Sequence, residues 1–172
     1  NISQEQTIQY AAVIGQPVKW KKTIKLEKET TNLEVELPKG AKVSSVKEIE
    51  NNISIDITSD VIAPTPNLLT GLVILEESNA TSLIIDLPVE EVEIEYETEA
   101  PISVEDDINS YTKQIKIISE TSYENVTAYT TINEVSQSSI KLYWVQNDSR
   151  DIFNEVSYLD ENENGLVDRI EW

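Results

Sequence analysis

Hydrophobic and polar residues alternate along this chain in short stretches. Leu33, Val35 and Leu37 alternate with Glu34 and Glu36, and Ile53, Ile55 and Ile57 with Ser54 and Asp56. Leu83, Ile85 and Leu87 repeat the pattern, as do Val92, Ile94 and Tyr96 with Glu between them. Ile115–Ile117, Val126–Ala128 and Ile140–Leu142–Trp144 follow. A period of two places one face of a strand on a core and the other in water. Pro, Asn, Gly and Ser punctuate the runs, and no segment holds a long 3.6 period. The expected fold class is all-β, an antiparallel β-sandwich. Leu68 to Leu75 is nearly continuous in apolar residues and reads as a central strand.

Periodicity fades between Glu97 and Asp107, where Ala100-Pro101 precedes Glu105-Asp106-Asp107. This suggests a β-sandwich over 15–98, a linker over 99–107 and a second, smaller sandwich over 108–172. One continuous sandwich is the rival reading. The small second sheet would be incomplete without a partner. Residues 1–14 form an N-terminal extension whose polar start, Asn1 to Tyr10, is either a flexible lead or a strand donated to another subunit. Ile152 to Leu159 is ambiguous between helix and strand.

Charge changes the picture. The net charge is −19 over 172 residues. A chain this acidic is poorly suited to nucleic acid, whose binding needs Lys and Arg to neutralise phosphates, or to anionic lipid. No apolar run is long enough to span a membrane, so no membrane insertion is expected. The charge is also uneven. Residues 1–47 carry +3, residues 48–112 carry −16 with no Lys or Arg, and residues 113–172 carry −6. Solvated strand faces account for this. So does head-to-tail association of a basic end with an acidic middle, which makes fibres when the contact does not close.

Cys, Met and His are all absent. A start at Asn1 without any Met suggests loss of the initiator, through a cleaved signal peptide or excision from a longer protein. Disulfides, Ser-His-Asp or Cys-His catalysis and His-ligated zinc are excluded. With four Gly there is no Gly-rich phosphate loop. Adjacent acids such as Glu76-Glu77 and Glu90-Glu91 could in principle serve glycoside hydrolysis. Among 32 acids such pairs are ordinary, and no enzyme is expected.

The most specific signal runs from Asp160 to Glu171. Asp160-Glu-Asn-Glu-Asn-Gly-Leu-Val-Asp-Arg-Ile-Glu171 fits the twelve-residue calcium template. Asp160, Asn162 and Asn164 supply oxygens at positions 1, 3 and 5. Gly165 permits the sharp turn at position 6. Leu166 offers its carbonyl, Val167 faces the core, and Asp168 acts at position 9, often through water. Glu171 is the bidentate ligand. Glu161 and Glu163 face outward. With three formal charges among its ligands, the site should be weak, in the range of roughly 10⁻⁴–10⁻³ M usual for extracellular modules. The loop resembles EF-hand and dockerin loops, yet no exiting helix and no second loop follow in this sequence. An ion here would staple two chain segments rather than open a sensor.

A wider resemblance rests on Ser139-Ile-Lys-Leu-Tyr-Trp144, Asn147-Asp-Ser149 and the calcium loop with Ile170-Glu171-Trp172. It also draws on Ala12-Val-Ile-Gly-Gln-Pro-Val-Lys-Trp20 and Tyr96-Glu-Thr-Glu-Ala-Pro101. Together these resemble a recurrent unit of large archaeal cell-surface proteins. The resemblance implies Ig-like β-sandwich modules, one or two here, in an S-layer, adhesin or surface-filament setting. It names no ligand, and it implies that this chain is a fragment or a processed subunit.

Five Asn-X-Ser/Thr sequons occur, at Asn1, Asn52, Asn79, Asn125 and Asn147. That exceeds the roughly two that composition would give for this acceptor pattern, and it supports an N-glycosylated surface protein. Asn-rich turns and Thr-rich strand faces are the alternative explanation. Trp144 alternates with Ile140 and Leu142 and is expected in the core. Trp20, among lysines, is expected in the core rather than on a sugar-stacking face. Trp172 is expected beside the loop. The combined expectation is a calcium-stabilised extracellular or cell-surface module: a structural subunit of a filament, stalk or S-layer that associates with copies of itself or with neighbouring modules, by head-to-tail or strand-exchange contacts. The alternative is a carbohydrate- or protein-binding adhesin.

Overall fold

The computed structural model describes residues 2–62, 80–147 and 149–172. The apolar run Leu68–Leu75 and the sequon residues Asn1 and Asn79 lie outside the described residues. What is described is all-β, apart from two single-turn 3₁₀ segments. Among the described residues no helix is long and apolar enough to cross a membrane.

The first nine strands are β1 (Ile2–Ile8), β2 (Ala12–Val13), β3 (Val18–Thr30), β4 (Leu33–Pro38), β5 (Lys42–Glu50), β6 (Ile53–Asp56), β7 (Val61–Ile62), β8 (Ala80–Ile85) and β9 (Val89–Thr98). Eight of them build two sheets. One has the order β1-β3-β9-β5-β6 and the other β4-β8-β7, with every pairing antiparallel. The inward faces share one core. Trp20, Ile24, Val46, Val92, Ile94 and Tyr96 from the larger sheet meet Leu33, Val35, Leu37, Leu83 and Ile85 from the smaller. The alternation within β3 and β9 selects these residues, because every second side chain points the same way. Lys22 lies on the inward side of β3. Burial pushes its pKa down, with Glu36 opposing, and its Nζ donates to the Glu36 carbonyl at 2.8 Å.

The outward face explains the uneven charge of the sequence. Lys19, Lys21 and Lys25 of β3 pair with Glu97, Glu93 and Glu91 of β9, at 3.9, 3.0 and 3.0 Å. Lys47 of β5 pairs with Glu95 at 3.3 Å. Basic and acidic segments that are separate in sequence therefore lie side by side within one sheet.

The remaining strands are β10 (Ile102–Asn109), β11 (Thr112–Ile118), β12 (Val126–Thr127), β13 (Tyr129–Val135), β14 (Tyr143–Gln146), β15 (Ser149–Ile152), β16 (Ser157–Leu159) and β17 (Val167–Glu171). They form two-stranded ribbons β10-β11 and β14-β15 and a three-stranded sheet β13-β17-β16. β12 pairs in parallel with β2. A polar relay also ties this half to the sandwich. Trp20 Nε1 donates to Thr98 Oγ1 at 2.7 Å, Thr98 lies 2.9 Å from the Tyr123 hydroxyl, and that hydroxyl donates to the Glu99 carbonyl. Trp20 stacks between Tyr96 and Tyr123, with centroids 6.2 and 6.0 Å away.

Several expectations change. Residues 2–8 are not a free lead; they pair with Leu26 to Trp20 of the same chain. The stretch read as a linker, 99–107, runs as strand from Ile102. Ile152 to Leu159 resolves as the end of β15, a short connection and β16. Ile53 and Ile55 are exposed although they alternate, because β6 is an edge strand beyond the sandwich core. Trp144 is 56% exposed rather than buried, since among the described residues β14 pairs with β15 alone and no second layer covers either face. Trp20, at 7% exposure, is core.

Candidate functional site

The loop from Asp160 to Asp168 closes the β16–β17 hairpin. Tyr158 pairs with Ile170 and Leu159 with Arg169, so Asp160 and Asp168 stand where the ladder ends. Val167 and Ile170 anchor the return strand, at 6% and 4% exposure, and Val167 faces inward as position 8 requires. The chain turns at Gly165, with φ of +87°, and Glu163 also takes positive φ at +61°.

Inside the loop, side-chain oxygens collect backbone N–H groups. Asp160 Oδ1 accepts from Asn164 N at 3.0 Å and its Oδ2 from Gly165 N at 2.6 Å. Asn162 Oδ1 accepts from Asn164 N at 3.2 Å, and Asn164 Oδ1 from Leu166 N at 2.8 Å. Both Asp168 oxygens accept from Glu161 N at 3.1 Å. These Asx-type turns hold the oxygens of positions 1, 3, 5 and 9 on the loop side while Glu161 and Glu163 stay exposed. Leu166 takes part through its N–H. Among the described residues no three carboxylates, imidazoles or thiolates converge as a metal cluster. The loop's donors are two carboxylates and two amide oxygens.

Glu171 does not join them. Residues 167–171 form a strand, so three residues carry the chain about 10 Å from Asp168, and the odd spacing turns Glu171 to the other face. It stands opposite Ser157 and Tyr129. Its carboxylate lies 3.7 Å from Arg169 Nη2. Arg169 also reaches Glu161 at 3.1 Å and covers the Tyr129 ring at 4.1 Å. In the template a helix brings position 12 back over the loop; an extended strand cannot.

One carboxylate outside the template does reach the loop. Glu134 Oε1 accepts from Asn162 Nδ2 at 2.7 Å. Nothing in the twelve-residue spacing could have found it, because it arrives on β13. The signal lies in sheet register: Thr131 pairs with Arg169 but Val135 with Val167, so β13 carries two extra residues there.

The three described sequon residues are exposed. Asn52 and Asn147 occupy two-residue hairpin turns with φ of +63° and +48°, and Asn125 precedes β12. Asn tolerates such backbone well, so turn chemistry alone accounts for two of them. Trp172 exchanges backbone hydrogen bonds with Ala128, at 2.8 and 2.9 Å, on the β13 side of β17.

Compared with protein families, characterised proteins and solved structures, the chain matches none.

Proposed function

We propose that this chain is a calcium-stabilised, Ig-like β-sandwich module of an extracellular assembly, a filament, stalk or S-layer, carrying N-glycans at exposed sequons. The observation that carries the reading is the loop at 160–168. Its spacing is that of a calcium template, and its oxygens gather at the closed end of a hairpin with no helix attached. An ion there would fasten β16 to β17 rather than drive an opening motion, which suits a structural part. The proposed organisation is a sandwich followed by a smaller, open β unit whose ribbons expose their backbone edges. Such edges accept strands from neighbouring copies or modules.

The alternative, a carbohydrate-binding adhesin, draws on the β14-β15 ribbon. Trp144 is exposed there opposite Asp151, with Gln146 and Ser149 as the next pair on that face. An aromatic plate beside polar side chains suits a sugar.

Light scattering and cryo-electron microscopy of the purified chain, with and without calcium, test the two. Ordered polymers are the expected result. A monomer at high concentration that binds glycans through Trp144 would replace the first reading with the second. Intact mass of native material should exceed the peptide mass, and bare peptide mass would remove the glycans.

A further inference from the structure

Asn164-Gly165 is the only Asn-Gly step in the sequence, and both residues are exposed at the turn of the loop. An asparagine before a glycine is open to attack by the next backbone nitrogen on its side-chain amide, because glycine brings no Cβ to crowd that nitrogen. Joining Gly165 N to Asn164 Cγ closes a five-membered ring from atoms that are already linked, so the reaction has no encounter to wait for. We propose that the folded loop promotes this ring closure, which makes Asn164 a self-modification site that passes through a succinimide to aspartate or isoaspartate. The inference needs no bound ion and is independent of the calcium reading.

Three features support it. The first concerns the nucleophile. The Gly165 N–H donates to Asp160 Oδ2 at 2.6 Å, so a carboxylate already holds the proton that must be lost. The second concerns the electrophile. Asn164 Oδ1 accepts from Leu166 N at 2.8 Å, and that donor stabilises the negative charge that develops on the oxygen during attack. The third is space: no atom lies within 4 Å of the place a Cβ would take on Gly165. Asn109 offers an internal comparison. Its Oδ1 accepts from Tyr111 N at the same 2.8 Å, but Ser110 follows it, and among the described residues no carboxylate takes the Ser110 N–H.

As the Gly165 N–Asn164 Cγ bond forms, the N–H proton passes to Asp160. The carbonyl electron pair moves onto Oδ1 and returns as the Cγ–Nδ2 bond breaks. Nδ2 takes up the proton and leaves as ammonia. Water then opens the ring at either carbonyl, and nothing is oxidised or reduced. Each product carries a new carboxylate at position 164. Isoaspartate also routes the main chain through the former side chain, which adds a methylene to a turn that Asp160 holds through the N–H groups of Asn164 and Gly165. The reaction is therefore a one-way timer on the closed end of the β16–β17 hairpin.

The test is incubation of the purified intact chain in warm neutral buffer containing EDTA, which keeps calcium out of the outcome. Peptide mass spectrometry follows Asn164 and Asn109, and an isoaspartyl methyltransferase counts isoaspartate. The samples are folded wild type, wild type unfolded in urea, and Asp160→Asn, with circular dichroism to show that the variant is folded. Folded wild type should modify Asn164 about tenfold or more faster than the unfolded chain, and Asp160→Asn should remove about tenfold or more of that rate. Asn109 should react far more slowly in every sample. A folded rate at Asn164 no greater than the unfolded rate would overturn the proposal, as would a folded Asp160→Asn that reacts as fast as wild type. If Asp160→Asn does not fold, the comparison of folded with unfolded wild type decides alone.

Discussion

In β9, Val92, Ile94 and Tyr96 are no more than 1% exposed; in β14, Tyr143, Trp144 and Val145 are 42%, 56% and 57% exposed. Both segments are paired strands carrying large apolar side chains. They differ in what lies over them. β9 runs through the middle of a five-stranded sheet and faces β4-β8-β7 across a shared core. Among the described residues β14 has one neighbour, β15, and all four of its residues are exposed. Alternation decides which side chains share a face. Whether that face is dry depends on a second layer contributed from elsewhere in the chain or from another molecule. A two-stranded ribbon is marginal on its own. The C-terminal half must therefore draw its order from other sources: the β2–β12 pairing, the Trp20–Thr98–Tyr123 relay and the closed loop at 160–168.

The strongest test of this contrast is a core truncation. Ile94 is fully buried, and Ile94→Ala should cost about 3 kcal/mol, since the lost contacts leave a cavity between two packed sheets. Urea denaturation measures it. A loss below about 1 kcal/mol would mean that the sandwich is as loosely packed as the ribbons. The next largest effect should come from calcium, and it should fall on the other half. An ion that binds only the folded loop stabilises it by mass action, about 1.4 kcal/mol at a calcium concentration tenfold above Kd. Thermal unfolding with and without EDTA should show the shift, and Asp160→Ala should erase it. Equal unfolding curves across millimolar calcium would remove the ion from the account.

This contrast also marks how far the sequence could be read. The strands of the sandwich were legible because their two faces meet different surroundings; Leu33, Val35 and Leu37 are buried while Glu34 and Glu36 are not. Trp20 was legible for the same reason. Trp144 misled because its alternation with Leu142 and Ile140 is genuine as a local pattern, while its burial needed a layer that no local pattern specifies. The loop was legible as far as Asp168, because tight turns are set by neighbouring residues: Gly165 for the turn, and Asp160, Asn162 and Asn164 for the turn hydrogen bonds. Glu171 was not, because its place depends on whether a helix or a strand follows. Val167 to Glu171 are drawn into strand by β13, whose paired residues lie 32 to 42 positions upstream. Glu134 was invisible for that same nonlocal reason. The charge segregation was visible, but the cross-strand meeting of Lys21 with Glu93 and Lys25 with Glu91 follows only from strand order.

A smaller effect probes the charged outer face of the sandwich. A hydrogen bond from Lys47, first among several causes, holds Glu95 below the ordinary carboxylate range. The folded state then keeps Glu95 ionised at a pH where the unfolded chain takes up a proton. Its contribution is fully present above the ordinary glutamate pKa and is lost as pH falls through the lowered folded value. Glu95→Gln should abolish that portion of the acid dependence, about 0.5 kcal/mol for a partly exposed pair. Denaturation midpoints between neutral pH and pH 3 measure it. An unchanged acid limb in the variant would show that the outer charge ladder adds nothing to stability.

The smallest effect is expected where the sequence pattern looked most like core. Trp144→Ala should change stability by about 0.5 kcal/mol or less, because the indole is more than half in water and truncating it opens no cavity. Fluorescence quenching gives a second readout. Trp20 is buried and stacked between two tyrosines, so iodide should reach Trp144 far more readily, and Trp144→Phe should remove much of the quenchable emission. A cost approaching that of Ile94→Ala, with Trp144 shielded from iodide, would show that the ribbon is covered in solution. Dilution would then tell where the cover comes from: shielding that disappears as the chain is diluted belongs to an interface between copies. In that outcome the sandwich and the ribbon would obey one rule, each apolar face dry beneath a second layer, with the ribbon's layer supplied on assembly.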